Sequence, residues 1–320
     1  MTTDSFDALI VGGGSAGLSA ALMLARSRRR IAIIDSGEPR NAVTAHMHGV
    51  LGRDGWSPLD LLATGRDEVA RYGATFAAGR AATLSQTSGH DDTDPGVRFV
   101  ATLESGDSLA ARHVLVATGL RDDLPNISGL RERWGAGVAH CPYCDGWEAR
   151  DGRIVVLATG PGSVHQAQLL RQLTPTVTYA VNGSELPDEA RAGLIARGIA
   201  VDTRPVVGVD AHGDAAHSLR LADGAVIAAD TVFVRPAAIP HDGLLRAFGA
   251  ATAPGMDGAD WVTVDAFGRT SVPGLWAAGN VVNPAATVPV AAAAGATAGA
   301  AINAELVEHE IAAAIRATVD

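Results

Sequence analysis

Residues 6–17, FDALIVGGGSAG, constrain this chain more than any other stretch. A short apolar run rich in β-formers ends in Gly12-Gly13-Gly14-Ser15-Ala16-Gly17. A helical pattern, LSAALMLARS, follows, and IAIID closes a second strand on Asp35. In a strand–turn–helix–strand unit each glycine has its own task. Gly12 permits the tight turn, Gly14 lets backbone approach a pyrophosphate, and Gly17 lets helix pack on strand. The first helical turn, opened by Ser15 and Ala16, offers N–H groups to the phosphates. Asp35 stands where a carboxylate accepts hydrogen bonds from a ribose. The unit predicts an α/β chain with a dinucleotide site at its first turn.

A second, damaged copy lies mid-chain. RIVVLATGPGSVHQAQLLRQL is again strand, turn and helix, but Ala158 replaces the first glycine and Ser163 the third. The next strand, TVTYAV, runs into Val181-Asn182-Gly183, where an NADH site needs a carboxylate and an NADPH site needs arginines nearby. Glu185 keeps an NADH reading open, and His165 is expected to fill the abandoned groove. At 320 residues the chain has room for both units as two Rossmann-like, three-layer domains. Beyond them, GLWAAGN predicts a strand ending at Gly279-Asn280. The alanine-rich tail after it reads as a long, close-packed helix with Pro289 in its first turn.

The net charge of −10, with no lysine at all, leaves no basic block to track a nucleic acid. It also removes Schiff-base chemistry and a Walker-type phosphate loop. No apolar run is read as reaching the roughly 18 residues that span a bilayer, and no basic region precedes the first apolar stretch. A cytoplasmic protein without a membrane partner is expected.

Both cysteines stand in HCPYCDGWEAR, residues 140–150. As a structural staple, Cys141–Cys144 would close a very small loop and gain little chain entropy. As a metal site it supplies two of about four ligands, and His140 at most a third. A redox pair is the reading that suits two cysteines in a long chain, and no metal is expected. Pro142 presets a helix start at the pair, which favours a thiolate at the helix N-terminus. His140 and Asp145 are the adjacent candidates for moving protons. Tyr143 and Trp147 are read either as pocket walls for a flat substrate or as core. His46 and His48 lack a third metal ligand and are read as pocket contacts or solvent-exposed.

With GGGSAG and Asp35, ATG at 117–119, CPYCDG at 141–146 and AAGN at 277–280, the chain resembles the thioredoxin reductase-like flavoproteins along nearly its whole length. The resemblance implies a discontinuous FAD-binding domain of residues 1–118 and 240–320, with residues 119–239 inserted as a second nucleotide-binding domain that carries the cysteines. It implies FAD contacts at Gly12, Gly14, Ser15, Ala16, Gly17, Asp35, Arg40, Asn41, Thr118, Gly119, Gly279 and Asn280, a homodimer, and a catalytic set of Cys141, Cys144, Asp145 and His140. Cys144 would be the flavin-facing thiol.

Four departures stand out: the broken second glycine motif, the missing phosphate-binding arginines, Asn280 where the family has aspartate, and Val288-Pro289 where the family's last helix opens with an arginine-glutamine pair. They resemble the branch of dithiol oxidases that close disulfides in products such as gliotoxin and holomycin. That branch implies a small-molecule dithiol substrate, with electrons passing through FAD to oxygen and yielding hydrogen peroxide. The alternatives are a reductase of thioredoxin-like proteins fed by NAD(P)H or another donor, and a flavin-bound redox sensor without turnover. A neutral Asn280 near the flavin predicts that Asn280→Asp lowers its reduction potential.

Overall fold

The structure is a computed structural model in which residues 5–87, 98–212, 215–255 and 258–319 are described. It divides into two compact units, one of Met1–Arg40, Leu59–Arg121 and Ile239–Asp320, the other of Asn41–Pro58 and Asp122–Ala238.

In the first unit β1 (Ser5–Val11), α1 (Ser15–Arg26) and β2 (Ile31–Asp35) form the predicted nucleotide unit. Then come α2 (Pro58–Ala70), β3 (Thr75–Ala78), β4 (Ala81–Gln86), β5 (Phe99–Leu103) and β6 (Ser108–Val116). The sheet runs β3-β2-β1-β6-β5-β4. Strands β3, β2, β1 and β6 pair in parallel with one another, whereas β5 pairs antiparallel with both β6 and β4. Apolar runs such as ALIV and IAII are buried on both faces, as central parallel strands must be. One face packs Leu18, Leu24 and Ile302, the other Phe99, Leu245 and Leu275, giving three layers.

The chain leaves this unit through β7 (Leu120–Asp123). The second unit holds β8 (Val138–Ala139), α3 (Pro142–Asp145), β9 (Ile154–Leu157), α4 (Gly162–Leu170), β10 (Val177–Ala180), α5 (Asp188–Ala196) and β11 (Ala200–Asp202). Its β12 (Val206–His212), β13 (Ala215–Leu221) and β14 (Val226–Ala228) form an antiparallel sheet, and β15 (Thr231–Val234) completes a parallel sheet ordered β11-β10-β9-β15-β8. The return strand β16 (Ala237–Pro240) pairs with β7. Both units therefore have the expected α/β architecture.

The last segment adds α6 (Gly243–Ala247), β17 (Thr252–Pro254), β18 (Asp260–Val262), β19 (Leu275–Ala277) and α7 (Val288–Val319) to the first unit. Strand β19 joins β6 in parallel. The sequence expectation that no apolar stretch reaches bilayer-spanning length needs correction. Val288–Thr318 does so by length and composition, with a mean hydropathy of 1.4. Its N-terminal part packs against α1. A Cβ on Gly295 would lie 1.9 Å from the Ala16 carbonyl oxygen and one on Gly299 2.6 Å from that of Ala20, so the small residues exist to bring α7 onto α1. Ala291, Ala298, Ile302 and Leu306 are buried along that seam.

Candidate active site

The glycine turn after β1 is built for close approach. Gly12 sits at φ +110°, where an L side chain is strained, and a Cβ there would meet the Ala117 carbonyl oxygen at 2.3 Å. A Cβ on Gly17 would meet the Gly12 oxygen at 1.8 Å, whereas one on Gly14 meets nothing within 4 Å. The open side of the turn is thus at Gly14, the N-cap of α1, where no side chain caps the helix. Ser15, Ala16 and Gly17 form the first helical turn at that opening. The Gly13 N–H donates to Asp35 at 2.9 Å, which holds the carboxylate at the end of β2. Arg66 of α2 also pairs with Asp35; no local motif marks this arginine.

Gly279, at φ +80°, comes against Ala16: its Cβ would lie 2.9 Å from the Ala16 methyl. An open glycine, an uncapped helix N-terminus and an anchored carboxylate fit the pyrophosphate and ribose of FAD. The other predicted contacts have visible local tasks. Asn280 donates its amide N–H groups to the carbonyls of Asn283 (2.9 Å), Ala286 (3.0 Å) and Pro284 (3.5 Å). Arg40 reaches the same Pro284 carbonyl. An aspartate at position 280 has no N–H to give, so holding this loop is a second reason for asparagine. Thr118 donates to the His241 carbonyl at 2.7 Å and the Gly119 oxygen accepts the His241 N–H. Asn41 belongs to the second unit, where its carbonyl accepts from Thr44.

In the second unit the damaged motif has turned inward. The Asn182 side-chain oxygen accepts the Val206 N–H at 2.8 Å, and Ser184 donates to the Ala158 carbonyl. Ser163 Oγ accepts the Thr159 N–H at 3.1 Å. The Arg235 guanidinium lies against Gly162 at the start of α4, with Nη1 2.2 Å from where a Cβ would sit. His165 and Glu185 are exposed. The expectation that His165 fills the groove is therefore corrected: Arg235 takes that place.

The cysteines flank the start of α3. Cys141 is its N-cap with extended backbone and Pro142 opens the helix; the Cys141 carbonyl accepts the N–H groups of Cys144 (3.1 Å) and Asp145 (3.0 Å). Both cysteines are thiols here and partly buried. The Cys144 S–H, donating to Cys141, is the main cause that lowers Cys141 from 9.0 to about 7. The N–H groups of Tyr143 and Cys144 assist, while burial and the Asp145 charge oppose. Asp145 is raised to about 6, first by burial and then by the Glu148 charge; His48 and the Cys141 N–H pull it back. A thiolate and a proton acceptor both balanced near neutral pH can carry thiol–disulfide exchange.

The His140 ring nitrogen Nδ1 lies 3.4 Å from the Val234 carbonyl, and the His140 carbonyl accepts from Gln166 at 2.5 Å. Tyr143 and Trp147 are 78% and 65% exposed, so neither is core. His46 is exposed, with Nδ1 near the Gly55 carbonyl. Its neighbour His48 reaches Glu148, a contact that nothing in the sequence announces. Among the described residues no three His, Cys, Asp or Glu side chains are grouped to hold a metal ion.

Comparison with known proteins agrees with this layout. The family model for pyridine nucleotide-disulphide oxidoreductases matches residues 6–295. Thioredoxin reductase tcpT of Claviceps purpurea is 34% identical over 318 residues, covering 93% of each chain. Thioredoxin reductase sirT of Leptosphaeria maculans is 31% identical over 323 residues, covering 96% of each. The crystal structure of HlmI superposes with a TM-score of 0.92 at 45% identity, covering 98% of this chain and 96% of that one. The chain belongs to the pyridine nucleotide-disulphide oxidoreductase family, as a thioredoxin reductase-like, FAD-containing oxidoreductase.

Proposed function

We propose that the protein is a dithiol oxidase: it converts a small-molecule dithiol to its intramolecular disulfide and passes two electrons through FAD to oxygen, yielding hydrogen peroxide. One observation carries this reading. The second nucleotide motif spends Asn182 on the Val206 N–H and has the Arg235 guanidinium lying against Gly162, while Cys141 ionises near neutral pH.

The cycle starts from the oxidised pair. A substrate thiol gives its proton to Asp145, and its thiolate attacks Cys141 Sγ; the Cys141–Cys144 bond breaks and Cys144 leaves as thiolate. The second substrate thiolate then displaces Cys141. The substrate's new S–S bond has formed, the enzyme pair has gained two electrons, and the two substrate protons are held by Asp145 and the thiols. The displacement is intramolecular, which raises its effective concentration. His140 is the second proton carrier, with Nδ1 turned to the Val234 carbonyl. FAD, when held by the Gly12–Gly17 turn and Asp35, supplies the two-electron acceptor that restores the disulfide.

The test is anaerobic mixing of the yellow protein with NADPH, NADH and dithiothreitol in turn, followed by admission of air. Bleaching by the dithiol alone, then peroxide, supports the oxidase. Rapid bleaching by a nicotinamide overturns it in favour of the disulfide reductase that the names of tcpT and sirT describe. No turnover with any of the three leaves the sensor.

A further inference from the structure

The Asn41–Pro58 segment groups with the second unit and carries His48 to the cysteine site. The imidazole stands between two carboxylates, with Nε2 3.4 Å from Glu148 Oε1 and Nδ1 3.4 Å from Asp54 Oδ2. The other Asp54 oxygen accepts the Gly49 N–H at 2.8 Å, which anchors that carboxylate and with it the ring. Glu148 lies three positions beyond Asp145, in the turn that follows α3.

Asp145 is the group these charges act on. Glu148 opposes its ionisation and His48 favours it. Other titratable groups near the cluster include Cys141, which also interacts with Asp145, Cys144 and His140. On the His48 segment, His46 turns to the Gly55 carbonyl and Arg53 lies over Trp56; beyond Glu148, Arg150 lies over Trp147.

We propose that His48 is a positioning residue of the cysteine site: bridging Asp54 and Glu148, it engages the Glu148 carboxylate, and so leaves Asp145 able to take the proton of an attacking thiol. This rests on Asp145 being the proton acceptor of the cycle proposed above. Without the His48 ring, the Glu148 carboxylate acts on Asp145 unopposed and favours its protonated form, which cannot accept another proton.

The experiment reads Asp145 directly, in holoenzyme labelled with carboxyl-13C aspartate. The Asp145 resonance is identified by its loss in Asp145→Asn. His48→Gln raises the Asp145 midpoint and Glu148→Gln lowers it, each by about half a unit to one unit, the size of one electrostatic contact near a protein surface. His48→Arg, which restores a donor to Glu148, holds the midpoint near that of the wild type. The acidic limb of the rate at which dithiothreitol reduces the oxidised pair moves in step. Equal shifts of the same sign in His48→Gln and Glu148→Gln, or a midpoint unmoved by His48→Gln, overturn the proposal. The resonance needs no substrate, so it decides the role of His48 even if the oxidase reading fails. Conversely, a midpoint that moves as described while the reduction rate ignores it would refute Asp145 as the acceptor and the proposal with it.

Discussion

Replacing Cys144 by alanine removes the S–H that donates to Cys141 and leaves the rest of the α3 turn in place. Cys141 ionises at about 7 instead of 9.0, and the Cys144 thiol is the largest cause. Two units correspond to a little under about 3 kcal/mol before screening. Cys141 is partly exposed, so the share from Cys144 is discounted to about 1–2 kcal/mol, or a rise of roughly one unit. The backbone N–H groups of Tyr143 and residue 144 survive the substitution and keep the midpoint below 9.0. At pH 7 the thiolate fraction then falls from about half to about a tenth. A more basic thiolate is also more nucleophilic, by roughly threefold per unit, so the rate at one pH drops only about twofold. The midpoint is therefore the quantity to measure. Iodoacetamide modification of the reduced variant from pH 5.5 to 10, followed by mass spectrometry, reports Cys141 as the sole remaining thiol. Cys144→Ser keeps a hydroxyl donor and should shift less. An alanine variant with its midpoint still near 7 would refute the reasoning.

Three further outcomes are expected. Gly17→Ala drives a methyl into the Gly12 carbonyl and should lose FAD and melt early, whereas Gly14→Ala has open space and should keep its melting temperature while FAD occupancy falls; a fully yellow Gly17→Ala would contradict this. Asp145 titrates at about 6 in the fold against an ordinary 3.8, so its penalty is absent below pH 4, grows as pH rises, and is complete above 6 at about 2–3 kcal/mol. Asp145→Asn should thus gain melting temperature over wild type above pH 6 and lose the advantage by pH 4, and a pH-independent difference would sink that account. Asn280→Asp cannot donate to the carbonyls of Asn283, Pro284 and Ala286 and should cost about 1–2 kcal/mol, read as a lower melting temperature at pH 7. Its reduction potential, measured alongside, should fall; an unchanged or higher value removes the charge argument for Asn280.

The two glycine turns, Asp35 and the Cys-x-x-Cys pair were legible because each is a local pattern whose spacing follows from the period of a helix or a strand. The damage to the second motif was legible in the same way, at Ala158 and Ser163. What replaced it was not. Arg235 lies far along the chain from Gly162 and meets it only because β15 pairs beside β9, ahead of α4. The alanine-rich tail was read as a close-packed helix, yet its partner α1 became known only from the carbonyls of Ala16 and Ala20 that meet Gly295 and Gly299.

By itself the order of residues determined the α/β class, the nucleotide turn and the spacing of the one cysteine pair, since each depends on groups a few positions apart; FAD was named through the family resemblance. Tertiary structure alone decided the electrostatics of the cysteine site: that His48 stands beside Glu148, that Cys144 donates to Cys141, and that Asp145 is buried enough to hold a proton near pH 6. Charges act through space and burial is a property of the folded surface, so neither is written in the spacing of a chain.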